Sequence, residues 1–182
     1  MNIRVVRSAR LGCYPPGIGA KIGCMAVEVK LDAIVEALEL ADDSISSYLD
    51  VEAGEVRSIT EEEFDLAEDP ETVLLDLPNW QREAVELARS IQEQEGTRYL
   101  ALPSKFDVHE WAIMDRFSET LRDARVRNDL HSGIRGAGAF RLFKRLLTEY
   151  NLWDAWNRFK QAELRQIAIQ WCEKHSIPFR QA

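Results

Sequence analysis

Apolar residues recur with two different periods along this chain, and each period predicts a type of element. At the start of the regular pattern, apolar residues keep the i, i+3, i+4, i+7 spacing of one helix face: Leu31, Ile34, Val35 and Leu38. The segment 46–59 (SSYLDVEAGEVRSI) consists instead of two β-prone runs on either side of Gly54, which predicts a β-hairpin. Short apolar runs at 72–77 and 98–102, each followed by a proline, predict two further strands.

From residue 79 onward, apart from the strand at 98–102, the apolar pattern has the period of helices. Asn79 is predicted to cap the first of these helices, and Asp107 the second, in a capping box with Glu110. Three more helices are predicted, from about Ala124 to Gly133, directly after the glycines that follow, and from about Leu152 to Lys174. The buried faces of the helices are predicted to include these large aromatic residues: Trp80, Trp111, Phe140, Phe143, Trp153, Trp156 and Trp171.

These elements predict an α+β fold. A small, mainly antiparallel sheet, made of the hairpin plus one or two further strands, is packed on one side by helices, and the C-terminal half is all helical. The acidic stretch 60–71 is predicted to be a solvated connection or a short helix. We expect a single domain over residues 25–182.

Residues 1–24 differ from the rest of the chain. They are basic and contain no acidic residue, and their apolar residues follow neither the helical nor the strand period. They also lack the apolar core of a secretory signal. We expect them to be a disordered extension, or the product of a start upstream of Met25.

The net charge of −8 is unevenly distributed. Residues 1–24 carry +4, residues 25–124 carry −18, and residues 125–182 carry +6. The basic C-terminal third is suited to phosphate, which dominates the affinity of proteins for nucleic acids. The alternative is that the acidic residues of the protein itself neutralise this third.

No catalytic or cofactor motif is found in the sequence. The Gly-x-Ser-x-Gly, His-Glu-x-x-His, Walker and Cys-x-x-Cys patterns are missing, and we expect no bound metal or organic cofactor. The three cysteines give no disulfide framework, which favours a reducing cytoplasm. No apolar run reaches the ~20 residues of a membrane helix. His109, His131 and His175 are expected at the surface or at helix ends, and Cys172 is expected to be a packed thiol.

Residues 133–147 (GIRGAGAFRLFKRLL) place three glycines directly before a basic helix. One interpretation is a joint between two helices, in which Gly133 adopts positive φ and the other two glycines allow close packing. The other is an anion-binding cradle, because free N–H groups at a helix N-terminus favour phosphate. The candidate contacts in the cradle are Arg135, Gly136, Gly138, Arg141, Lys144 and Arg145. Of the two, we expect the joint.

The same region also carries a resemblance. The segments GAGAFRLFKRLL, LWDAWNRF and QWCEKHSI, with the hairpin YLDVEAGEV, resemble the signature of uncharacterised protein family 0158, a bacterial family with no assigned activity. Ala53 stands where that family usually has Thr. The residues that we take as its structural signature here are Gly54, Phe140, Phe143 and Trp156. The resemblance covers about Val29 to Phe179, implies a small sheet with C-terminal helices, and transfers no catalytic residue.

Three functions are compatible with these observations. The first is a non-enzymatic protein-interaction or regulatory module, and we expect this one. The second is phosphate or nucleic-acid binding within residues 125–165, using Arg125 and Arg127 in addition to the basic residues named above. The third is a hydrolase-type enzyme, whose carboxylate pair cannot be distinguished because acidic residues are so abundant. Basic side chains that converge on one exposed face would favour the second function over the first.

Overall fold

The structure is a computed structural model that describes residues 27–69, 74–136 and 138–181. The extension predicted for residues 1–24 lies outside this part of the chain. The strands are β1 (Val29–Lys30), β2 (Ile45–Asp50), β3 (Glu55–Thr60), β4 (Tyr99–Ala101) and β5 (Phe179–Arg180). The helices are α1 (Leu31–Leu40), α2 (Glu61–Glu68), α3 (Asn79–Gln94), α4 (Lys105–Val108), α5 (Glu110–Thr120), α6 (Ala124–Gly133), α7 (Ala139–Glu149) and α8 (Trp153–His175).

The main sheet is antiparallel and has the strand order β3-β2-β4. It contains the predicted hairpin and the predicted strand near residue 100, and the chain after it is almost entirely helical, so the α+β prediction is confirmed. A second, parallel pair joins β1 to β5 at the two ends of the described chain. None of the described helices is both long and apolar enough to cross a membrane.

Helices cover both faces of the main sheet, not one face as the sequence predicted. Leu49 and Leu100 point into the larger core, which is formed with α1 and the C-terminal helices. Tyr99, the residue before Leu100, belongs to a smaller core with Ala88 and Ile91 of α3. Because successive side chains of a strand point to opposite faces, both cores share the same three strands.

The strand predicted at 72–77 is wrong for its described part. Leu74–Asp76 is a single 3₁₀ turn. Arg82 of α3 donates hydrogen bonds from Nε to the carbonyl oxygen of Leu74 (3.0 Å) and from Nη2 to that of Leu77 (3.2 Å). These carbonyl groups are therefore held by a side chain instead of by a neighbouring strand.

Two predicted helix caps are also wrong. The side chain of Asn79 caps nothing, because α3 begins at this residue and its N-cap is Pro78. The capping box near residue 107 lies one turn earlier than predicted, with Ser104 as the cap and Asp107 as its third helical residue. His109, at φ 49°, then separates α4 from α5, so the predicted single helix is broken into two.

Asp50 connects the hairpin turn to β4. Its Oδ1 accepts hydrogen bonds from the backbone N–H groups of Glu52 (3.0 Å) and Ala53 (3.2 Å). Arg98 donates to both carboxylate oxygens, from Nε (3.1 Å) and from Nη2 (2.7 Å). Burial alone would raise the pKa of Asp50, but these hydrogen bonds outweigh it and hold the pKa below its ordinary value.

Gly54 is required at the hairpin turn for two reasons. Its φ is 69°, and a Cβ atom placed on it would lie 2.7 Å from Cγ1 of Val27. The Gly54→Ala variant should therefore lose about 2–4 kcal/mol of unfolding free energy, from the left-handed backbone and from the clash together. Gly136→Ala is the matched control, because Gly136 has φ 86° with no atom within 4 Å of the added Cβ, and it should lose only about 1–2 kcal/mol. Equal losses in urea unfolding would show that Val27 moves aside freely.

Candidate functional site

The joint between α6 and α7 is built differently from the predicted one. Gly133, expected to follow its helix with positive φ, is instead the last residue of α6 itself and is buried. A Cβ atom there would lie 2.9 Å from Cδ1 of Leu146 and 3.3 Å from Cγ of Leu142. Gly133 is therefore the residue that allows α6 and α7 to pack closely, which was the role expected of the other two glycines.

Gly136 and Gly138 have the positive φ angles of this joint, 86° and 82°. A Cβ atom on either would meet nothing within 4 Å, so their role is conformational. Gly138 is the N-cap of α7 and provides no side-chain cap. Trp111 of α5 donates a hydrogen bond from Nε1 to the carbonyl oxygen of Ile134 (2.9 Å), and this bond ties the joint to the rest of the fold.

Helix α7 has a buried face and a charged face. Phe143, Leu146 and Leu147 are buried in the main core, as predicted. Phe140 was predicted to be buried as well, but 44% of it is exposed, because it lies in the first turn at the margin of the apolar stripe.

Three basic side chains share the exposed side of α7. Arg141, Lys144 and Arg145 stand at i, i+3 and i+4, a spacing that places side chains next to one another on a helix. All three are exposed, and none forms an ion pair with another described residue. We call these three residues the basic face.

Some other basic residues of the C-terminal helices are already engaged. Arg165 of α8 pairs with Asp32, and Lys160 pairs with Glu110 at 3.2 Å. Arg127, a candidate from the sequence, donates from Nη1 to the carbonyl oxygen of Leu121 (3.0 Å). The prediction that the acidic residues of the protein neutralise its basic third therefore holds for some of its cations and not for the basic face.

Two further basic candidates, in addition to Arg127, lie outside α7. Arg135 is exposed in the α6–α7 joint, and Arg125 is exposed in the first turn of α6. Neither forms an ion pair with a described residue. They add positive charge near either end of α6, while the basic face is formed by α7 alone.

Exposed aromatic rings flank the basic face at both ends. Phe140 lies one turn before Lys144, and Thr148 lies one turn after it. Thr148 accepts a hydrogen bond at Oγ1 from Nε1 of Trp153 (3.0 Å), so the indole is held at the C-terminal end of α7 with 37% of the residue exposed. At 1.5 Å per residue, the row from Phe140 to Thr148 is about 12 Å long.

The sequence did not predict that Trp153 is exposed, because its position in the apolar pattern of α8 predicted burial. Of the five tryptophans, only Trp156 and Trp171 are buried. Trp80 and Trp111 are exposed by 68% and 50%. The sequence did contain one signal for this exposure. Trp153 is the first residue of its helix, where an apolar stripe extends beyond the core.

The remaining titratable candidates are accounted for by packing. Cys172 is fully buried, and burial raises the pKa of its thiol to about 11. The ring of His175 lies tilted against that of Trp171 with ring centroids 4.7 Å apart, and burial lowers the pKa of His175. His131 pairs through Nδ1 with Asp115 (3.0 Å). In the described ranges, no group of three or more His, Cys, Asp or Glu side chains is arranged to hold a metal ion.

The comparisons with known proteins agree with the resemblance seen in the sequence. Neither the curated proteins nor the solved structures gave a match. The family model described as Uncharacterised protein family (UPF0158) matches residues 25–181, which is most of the chain and includes the hairpin, the α6–α7 joint and the basic face. The chain belongs to uncharacterised protein family UPF0158.

Proposed function

We propose that this protein binds single-stranded nucleic acid through the basic face of α7. The observation that supports the proposal most strongly is the arrangement on α7: three exposed, unpaired cations in adjacent positions, with Phe140 and Trp153 exposed at the two ends. This combination of cations and aromatic rings matches the two requirements of single-strand binding, which are attraction of phosphates and stacking of bases.

The cations supply the phosphate contacts. Each phosphate that they neutralise releases a condensed counterion, so the affinity depends on salt. The acidic region of the protein, −18 over residues 25–124, opposes the approach of a polyanion. At physiological salt, however, charges farther away than the Debye length of about 8 Å are largely screened, and the nearby cations dominate.

The aromatic rings favour a single strand over a duplex. Bases of a single strand are free to stack on exposed rings, whereas those of a duplex are stacked on one another. An anionic membrane is a poorer fit, because the apolar face of α7 is buried in the core and cannot insert between lipids. The setting that we propose is the bacterial cytoplasm, where nucleic acids and reduced cysteines are both present.

The first test is a titration of the protein against a short, mixed-sequence, fluorescently labelled DNA single strand. Three phosphate contacts predict a slope of about −2 in log K against log salt concentration. The Arg141→Ala/Lys144→Ala variant should bind more weakly and reduce the magnitude of the slope to about 0.7, while its unfolding free energy changes by only ~0–1 kcal/mol per residue.

A matched control separates this face from general electrostatics. Lys30→Ala/Arg180→Ala removes the same charge from another exposed site, the paired residues of β1 and β5. It should bind as the parent does. If both double variants weaken binding equally, the basic face is not the site.

The second test addresses the aromatic rings. Phe140→Ala and Trp153→Ala should each weaken single-strand binding by about 1–3 kcal/mol without changing the salt slope, because they remove stacking and leave the charges in place. In a competition experiment, a duplex of the same sequence should bind more weakly than the single strand. Duplex that binds as tightly as the single strand would refute the single-strand assignment.

A further inference from the structure

The apolar stripe of α3 extends beyond the core that it helps to form. Val85, Ala88 and Ile91, in the middle and C-terminal half of the helix, are buried, and the last two belong to the smaller core with Tyr99. Trp80, in the first turn, was predicted to lie on the same buried face but is 68% exposed.

A second apolar side chain is exposed at the same end of α3. Leu75, in the 3₁₀ turn before this helix, is 81% exposed. Arg82 holds both ends of that turn through its hydrogen bonds to the carbonyl oxygens of Leu74 and Leu77. The position of Leu75 is therefore set by an ordered backbone that is anchored to α3. We call Leu75 and Trp80 the Trp80 patch.

Negative charge lies beside the Trp80 patch. Asp76 follows Leu75 in the 3₁₀ turn, Glu83 and Glu86 lie one and two turns after Trp80 on α3, and all three are exposed. None of them forms an ion pair with a described residue. The basic residues of α3 are Arg82 and Arg89, and both donate to backbone carbonyl groups, with Arg89 Nε reaching that of Ala67 (3.3 Å).

We infer that the Trp80 patch is a docking site for a cationic amphipathic segment of another protein. Exposed Trp and Leu side chains lower the free energy of binding when a partner covers them, and tryptophan is among the commonest energetic anchors of interfaces. The neighbouring carboxylates select a partner whose apolar side chains are flanked by Lys or Arg, and they disfavour an acidic one. This inference does not rest on the proposed nucleic-acid binding, which uses α7.

A second copy of this chain fits the site less well. Its basic face would complement the charge, but contact between α7 of one copy and α3 of the next joins two different surfaces. Such head-to-tail contacts generate open filaments unless the rotation closes a ring. A separate cationic partner satisfies the same charge complementarity without this consequence.

The test is a titration of the full chain with a labelled short peptide that forms an amphipathic helix of lysine and leucine. Two control peptides are a scrambled sequence of the same composition and an amphipathic helix of glutamate and leucine. The lysine helix should bind more tightly than either control. Trp80→Ala should weaken its binding at least about tenfold, as loss of an interface anchor does. Glu83→Gln/Glu86→Gln should weaken binding and reduce its dependence on salt.

The control variant is Phe106→Ala, which removes an aromatic residue that is exposed to a similar extent (71%) outside the patch. It should leave peptide binding unchanged. The inference is overturned if the scrambled peptide binds equally well, or if Trp80→Ala and Phe106→Ala have the same effect. It is also overturned if sedimentation of the protein alone shows association that both Trp80→Ala and Lys144→Ala abolish, because the occupant is then a second copy.

Discussion

Phe143→Ala is expected to lower the unfolding free energy by about 3–5 kcal/mol, the usual loss when a buried aromatic side chain is truncated. Phe143 is 2% exposed and lies in an aromatic cluster of the main core. Its ring makes edge-on contacts with Trp156, at a centroid distance of 5.0 Å, and with Phe117, at 6.3 Å. Truncation therefore leaves a cavity between α5, α7 and α8 and also removes two favourable ring pairs.

Phe140→Ala is the matched control, because it makes the same change one turn earlier on α7, where the ring is 44% exposed. It should cost less than about 1.5 kcal/mol, since little apolar area is lost from the core. Urea unfolding followed by circular dichroism measures both variants. Similar losses for the two would contradict the division of α7 into a buried and an exposed face.

Arg98→Ala should also be strongly damaging, with a loss of about 2–4 kcal/mol of unfolding free energy at neutral pH. The variant leaves the Asp50 carboxylate, whose side chain is 3% exposed, with hydrogen bonds only from the turn N–H groups. Removing one partner of a buried ion pair is costly because the remaining charge is uncompensated. We place the value somewhat below the usual range of about 3–5 kcal/mol because one third of the Arg98 side chain is exposed, which weakens the pair.

The loss in Arg98→Ala should depend on pH. In the parent, the pKa of Asp50 lies below its ordinary value of 3.8 because the hydrogen bonds outweigh burial, so this contribution is present above that value and is lost as the pH falls through the folded pKa. In the variant, burial remains while the hydrogen bonds from Arg98 are lost, so the pKa of Asp50 should be higher than in the parent and protonation should relieve the penalty as the pH decreases. The difference in unfolding free energy should be largest near pH 7, shrink as the pH approaches about 4, and continue to shrink below it. A constant difference would exclude Asp50 as its cause.

The sequence predicted the hairpin and most helices because their patterns are local. The spacing from Leu31 to Leu38 determines α1, and Gly54 separates two β-prone runs. The sequence did not predict how far along a helix the core extends. The period of the apolar residues shows which face of a helix is buried, but not at which residue the burial ends. Trp80 and Phe140 both lie in the first turn of their helices, and both are exposed for this reason.

Contacts between different elements account for two of the other differences. Arg82 holds the turn at Leu74–Asp76 where an apolar run predicted a strand. The parallel pair of β1 and β5 has two residues per strand and joins opposite ends of the described chain, so no local pattern marks it. In the candidate site, the basic residues were evident from the sequence. The hydrogen bond that places Trp153 beside Thr148 was not.

The β1–β5 pair also determines how the chain is closed. Val29 donates a backbone hydrogen bond to the carbonyl oxygen of Pro178 (3.0 Å), and α1, directly after β1, packs on α8. The first and last strands of the described fold therefore pair with each other and hold its two ends together. Fraying at either end breaks the same hydrogen bonds, so the two ends stabilise each other. Because they lie side by side, a short linker between them would allow the chain to be opened at an exposed loop, as in a circular permutant.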